Sequence, residues 1–138
     1  MAPLTKDGGA MRDKSLLVLS SSLELVTGLV AIAAPSFLAN LLFSAGLTPG
    51  GKAISRVCGF GLLSLAIACW PRDGEEHTQA IRGLFLYNVL AFLYLGYLRI
   101  VGEFSGLFLL PACIVHGLLT LLFVRPVYEG AIGKDPKM

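Results

Sequence analysis

The stretch SSSLELVTG places a glutamate, Glu24, in the middle of a long apolar run. Ionisable side chains inside hydrocarbon are rare, and by default they mark ion, proton or ligand sites. Further apolar runs carry Ser64, Asn88 and His116 at comparable depth. Glu24 comes nine residues after Ser15, and His116 nine before Arg125. At the helical rise per residue both lie about 13 Å from the same membrane edge, with Ser64 and Asn88 at roughly 8–12 Å. A carboxyl group and an imidazole brought together could form a proton relay. With an amide and a hydroxyl beside them they could hold the polar head of a small lipophilic or quinone-type ligand. The other use of such groups is structural: they hydrogen-bond each other and fix which helices are neighbours. On either use, Glu24 is expected to face the interior and to be satisfied by His116, with Asn88 or Ser64 helping.

The remaining candidates are Arg56, Tyr87 and Tyr94. Arg56 lies four residues inside Lys52, so it either snorkels to the outer surface or pairs with Glu103. Tyr87 and Tyr94 are seven residues apart, on one helix face. Their hydroxyls are expected to bond neighbouring helices, with a ligand role as the alternative. Cys58, Cys69 and Cys113 show no CxxC or metal-type spacing and read as small packing residues, although Cys58 and Cys113 come to similar depth. No metal or cofactor is expected. Haem in a bundle needs two axial ligands and only His116 is in an apolar run, His77 being in a charged loop. Zinc lacks ligand spacing, and no phosphate loop, nucleophile elbow or HExxH occurs.

What must position these residues follows from composition. Of the 138 residues 55% are hydrophobic and only 14% charged, against about 25% charged in a soluble domain. The chain therefore belongs in a bilayer. A net charge of +2, with no basic run interleaved with aromatics, gives no reason to expect nucleic acid. Four apolar runs, at 15–34, 52–70, 80–100 and 105–124, are separated by turn signals. Each approaches the roughly 20 residues that cross the hydrocarbon core. Backbone groups there must pair internally, so the runs are helices. The expected fold is all-α: an integral membrane four-helix up-down bundle spanning 15–124, between tails at 1–14 and 125–138. The first run is too long for a signal core, and Glu24 is foreign to one, so it is read as a retained span.

The loop PSFLANLLFSAGLTPGG has its own period. Phe37, Leu38, Leu41, Leu42 and Ala45 oppose Ser36, Asn40 and Ser44, as in a short amphipathic helix on the outer membrane surface. A hydrophobic loop tucked into the bundle is the alternative. On the second span, Gly59, Gly61, Ser64 and Ala68 are expected to face other helices, since small residues let backbones approach. Lys6, Arg12, Lys14, Arg72, Arg82, Arg125, Lys134 and Lys137 fall on the side of the termini, and only Lys52, Arg56 and Arg99 on the other. That excess places both termini in the cytoplasm.

AISRVCGFGLLSLAIACW, LFLYNVLAFLYLGYL and GLFLLPACIVHGLL carry a resemblance. Arg56 and Gly59 open the second span, Tyr87 and Asn88 form a pair in the third, and Pro111 precedes His116 in the fourth. In these features the chain resembles the small four-span bacterial inner-membrane proteins of the DoxX-like kind. That likeness implies the four-span architecture and an inner-membrane location; those families mostly lack an assigned activity. Two classes of function remain open. One is a non-enzymatic helical subunit or binding module, in contact with the lipid bilayer and with a homo-oligomer, a larger membrane complex or a lipophilic ligand. The other is a transporter or a lipid- or quinone-linked membrane enzyme using a Glu24–His116 site. The short chain and the lack of a catalytic constellation favour the first.

Overall fold

The computed structural model describes residues 6–102 and 104–132. They form five helices, α1 Lys6–Ala33, α2 Pro35–Phe43, α3 Pro49–Ala68, α4 Thr78–Val101 and α5 Leu109–Ile132, with no strand among the described residues. Four of them, all but α2, are long and apolar enough to cross a membrane. The protein is an all-α membrane bundle. Its packing is uneven: α1 lies along α3, α4 lies along α5, and α1 also touches α4 and α5. Helix α1, together with the short α2, which touches α3 and α5, joins the two pairs.

Several boundaries differ from those expected. Residues 6–14, expected in the tail, extend α1, because adding residues to an existing helix is far easier than nucleating one. Helix α3 begins at Pro49 rather than 52. The Thr48 hydroxyl accepts from the Gly51 amide at 3.1 Å, and Pro49 takes the first turn, where no amide hydrogen is needed. Helix α5 starts at Leu109 rather than 105, because the residues before it dock onto α2. It also runs through the expected stop at Arg125–Pro126. A proline inside a helix removes one hydrogen bond. Here Pro126 is buried and Val127 packs on the apolar core, while Arg125 and Glu129 pair at 2.6 Å across the next turn.

The expected surface helix exists as α2, but it is pinned. The Phe108 amide donates to the Leu41 carbonyl at 3.0 Å. A side chain on Gly106 would fall on the Leu42–Phe43 backbone. Phe43 and Phe104 meet edge to face with centroids 5.3 Å apart. Pro35 and Ala39 are the buried residues of α2, while Phe37 faces outward.

Helices in lipid gain no hydrophobic drive from one another, so they associate through close packing and polar contacts. The α1–α3 contact is of the first kind. A Cβ on Gly28 would lie 2.9 Å from the Gly59 carbonyl oxygen, and one on Gly59 would lie 2.8 Å from the Gly28 carbonyl oxygen. Gly59 and Ala66 are the buried residues of α3. The expected packing face of α3 was therefore only partly right. Gly61 and Ala68 are exposed, and a Cβ at Gly61 would meet nothing within 4 Å.

At the end of the bundle that carries the termini, an apolar core gathers Leu16, Leu17, Ile81, Leu84, Leu119 and Phe123. Lys14 pairs with the fully exposed Asp73 at 2.6 Å and ties α1 to the α3–α4 loop. The ammonium holds the Asp73 carboxyl below its ordinary range. Whatever stability this pair adds is present above the ordinary carboxyl pKa and fades as pH falls through the lower folded value. Full exposure keeps it small.

Replacing Gly59 by valine should lower stability by about 1–3 kcal/mol through overpacking, read as a lower unfolding midpoint in detergent. Replacing Gly61 by alanine should change it by less than about 0.5 kcal/mol.

Candidate functional site

Three helices bring their polar residues to one buried layer: Ser20, Ser21 and Glu24 from α1, Asn88 from α4 and His116 from α5. Asn88 is the hub. Its amide nitrogen donates to Ser20 Oγ at 3.1 Å and to the Leu84 carbonyl at 2.7 Å. Its oxygen lies 2.8 Å from His116 Nδ1. The Leu84 carbonyl can only accept, so the amide nitrogen must face it and the amide oxygen must face the imidazole. That oxygen can only accept as well, so His116 Nδ1 carries the hydrogen. In the neutral ring Nε2 is then the bare, basic nitrogen. Thr120 does not join this network: its hydroxyl bonds the His116 carbonyl within α5 at 2.8 Å.

Helical periodicity explains how the chain builds this layer. Ser20, Glu24, Gly28 and Ala31 recur at intervals of three or four and form the buried stripe of α1. Tyr87 sits beside Asn88 and is half-buried. Its ring stands edge-on to the His116 ring with centroids 5.8 Å apart, and its hydroxyl lies near the Glu24 carboxyl.

The expected residues are therefore sorted. Glu24 is interior, at 1% exposure, and Asn88 and His116 share its layer. The direct Glu24–His116 pair does not form, because the Asn88 amide takes His116 Nδ1, while Glu24 lies against Tyr87 and its Oε1 has no hydrogen-bond partner. Ser64 is not in the layer. It lies five residues beyond Gly59, roughly 140° around the helix from the face against α1, and its exposed hydroxyl bonds the Phe60 carbonyl of its own helix at 2.8 Å. Tyr94 is also outside it, 62% exposed and stacked on Tyr97. It shares a helix side with Tyr87, but only the level of Tyr87 is partly covered by neighbours.

Arg56 has a partner that was not expected. Its Nε donates to the Ile32 carbonyl at 3.3 Å, and the Ser55 hydroxyl donates to the Ala31 carbonyl at 3.4 Å. Pro35 has no amide hydrogen to offer Ala31, four residues before it. Ser55 supplies that donor from α3, and the Arg56 charge sits favourably at the C-terminal end of α1. Arg56 is thus a capping residue; Glu103, its expected partner, lies outside the described residues. The buried Ser21, Tyr87 as the neighbour of Glu24, and Ser55 as a cap of α1 were missed by sequence reasoning. The freed Ala31 carbonyl was the one available signal, since a proline four residues on announces it.

Cys58 is exposed and Cys113 buried, and both are free thiols. No group of three or more His, Cys, Asp or Glu side chains is placed to hold a metal among the described residues. No known family, curated protein or solved structure matches the chain.

Replacing Asn88 by leucine removes three bonds at once and leaves His116 Nδ1–H and Ser20 without their partner. The expected cost is about 1–3 kcal/mol, measured by thermal unfolding in detergent. Replacing Ser64 by alanine should cost less than about 0.5 kcal/mol. Equal losses at the two positions would contradict the assignment of Asn88 as the hub.

Proposed function

We propose that the protein is a non-enzymatic integral membrane protein of a bacterial inner membrane, acting as a helical subunit or binding module. Both termini lie in the cytoplasm on this reading. The observation that carries it is how the polar side chains are used: Asn88 gives both amide hydrogens to Ser20 and Leu84, and its oxygen accepts from His116. Asn88, Ser20 and His116 thus hold helices together, and among the described residues no nucleophile, base and orienting residue converge. Meanwhile α3 packs chiefly against α1 and turns Ile54, Val57, Phe60 and Ile67 outward. These apolar faces suit lipid, a second copy of the chain or another membrane subunit. The likeness to DoxX-like proteins agrees with the inner-membrane location and adds no chemistry. A transporter or enzyme built on a directly bonded Glu24–His116 pair has less support, since that pair is not made.

Reporter fusions test the orientation. Fusions after residues 14, 76 and 138 should report the cytoplasm, and fusions within 44–50 the exterior; termini on opposite sides would remove one span and overturn the topology. Native mass spectrometry of the detergent-extracted protein tests the role. A retained partner chain, second copy or lipophilic molecule is expected, and a bare monomer under every mild extraction condition would contradict a subunit or binding module.

A further inference from the structure

The Asn88 network leaves two polar atoms of α1 without partners, Ser21 Oγ and Glu24 Oε1. Ser21 is fully buried and Glu24 is 1% exposed. They stand three residues apart and so are neighbours on one helix face. The Tyr87 hydroxyl of α4 lies near the Glu24 carboxyl, outside ordinary hydrogen-bond geometry. Beyond Tyr87, the titratable side chains on this side are His116 of α5 and Cys58 of α3. Among the described residues no Lys or Arg bonds Glu24: Arg56 caps α1 at Ile32, eight residues further on, and the ion pairs Lys14–Asp73, Arg72–Glu75 and Arg125–Glu129 lie near the end of the bundle where α1 begins.

An ionised carboxylate can only accept hydrogen bonds, whereas a carboxylic acid also donates one. We propose that Glu24 is a proton-binding site inside the membrane, holding an exchangeable proton on Oε1 that is directed to Ser21 Oγ, with the Tyr87 hydroxyl beside the carboxyl. The bound proton removes a charge that no cation balances. It also turns two orphan atoms, neighbours on one helix face, into a matched donor and acceptor. A candidate acceptor for that proton shares the layer: the Asn88 bond fixes the hydrogen of His116 on Nδ1 and leaves Nε2 bare, and the His116 and Tyr87 ring centroids are 5.8 Å apart. The site is separate from the subunit role, since a chain that binds no partner would still carry it.

Infrared spectroscopy of the full chain in lipid vesicles, with and without carboxyl-13C glutamate, tests the site. Glu24→Gln separates the Glu24 signal from those of the other glutamates, at 75, 76, 103 and 129. The expected result is one carboxylic-acid C=O band at neutral pH. It should shift with the 13C label, shift again in D2O, and disappear in Glu24→Gln. Tyr87→Phe and Ser21→Ala should each move its frequency. The proposal is overturned if labelled glutamate shows only carboxylate bands at neutral pH, if the acid band survives in Glu24→Gln, or if it never responds to D2O. Should Glu24→Gln fail to fold, the labelled band in the wild type and its displacement in Ser21→Ala decide, and a band indifferent to Ser21→Ala overturns the proposal.

Discussion

A polar group inside hydrocarbon has no water to fall back on, and that constraint organises the middle of this protein. Asn88 meets it with three hydrogen bonds that reach α1, α5 and its own helix. Interhelical hydrogen bonds in membranes average only about 0.6 kcal/mol each. The direction they impose matters more than their sum. Sliding α1 along α4 by one turn would strand Ser20, and rotating α5 would strand His116. The layer thus sets the register of three helices whose apolar surfaces would fit lipid almost as well in other registers.

The α1–α3 contact is held by a different means. No polar layer reaches α3 at this depth, and Ser64 points away. Instead Gly28 and Gly59 lie with each backbone close against the other, and Ser55 and Arg56 cap the carbonyls of α1 where Pro35 interrupts the chain. One helix pair relies on backbone proximity and capping, while α1, α4 and α5 combine side-chain hydrogen bonds with an apolar core. Helix α1 takes part in both, through its buried stripe of Ser20, Glu24, Gly28 and Ala31. Glu24 sits where the two systems meet, one turn from Gly28 and beside the Asn88 layer, and a carboxylate there would cost on the order of 3 kcal/mol if left charged and unpaired in lipid.

Much of this was legible in the sequence, for physical reasons. Apolar length reports a span directly, because the bilayer has a fixed thickness. The depth of Glu24, Asn88 and His116 followed from helical rise. The short helix at Pro35–Phe43 was visible in its period, and its pinning by Gly106 and Phe108 was not, because that contact joins loops distant in the chain. Partner choice within the layer was hidden for a related reason. Depth says which groups share a level, while azimuth decides which of them touch, and azimuth depends on helix rotation. Ser64 had the right depth and the wrong side; Tyr94 had the right side at a level where nothing covers it. The Arg125–Pro126 stop failed because the lost bond of a proline is small beside the packing that continues past it.

The central claim is that Asn88 presents its oxygen to His116 Nδ1. Solid-state nitrogen NMR of the histidine ring in lipid reads this directly. The account predicts a neutral His116 with hydrogen on Nδ1 and a bare Nε2, and a change of tautomer or of Nδ1 shift when Asn88 is replaced by leucine. A wild-type ring with its hydrogen on Nε2 and a bare Nδ1 would contradict it.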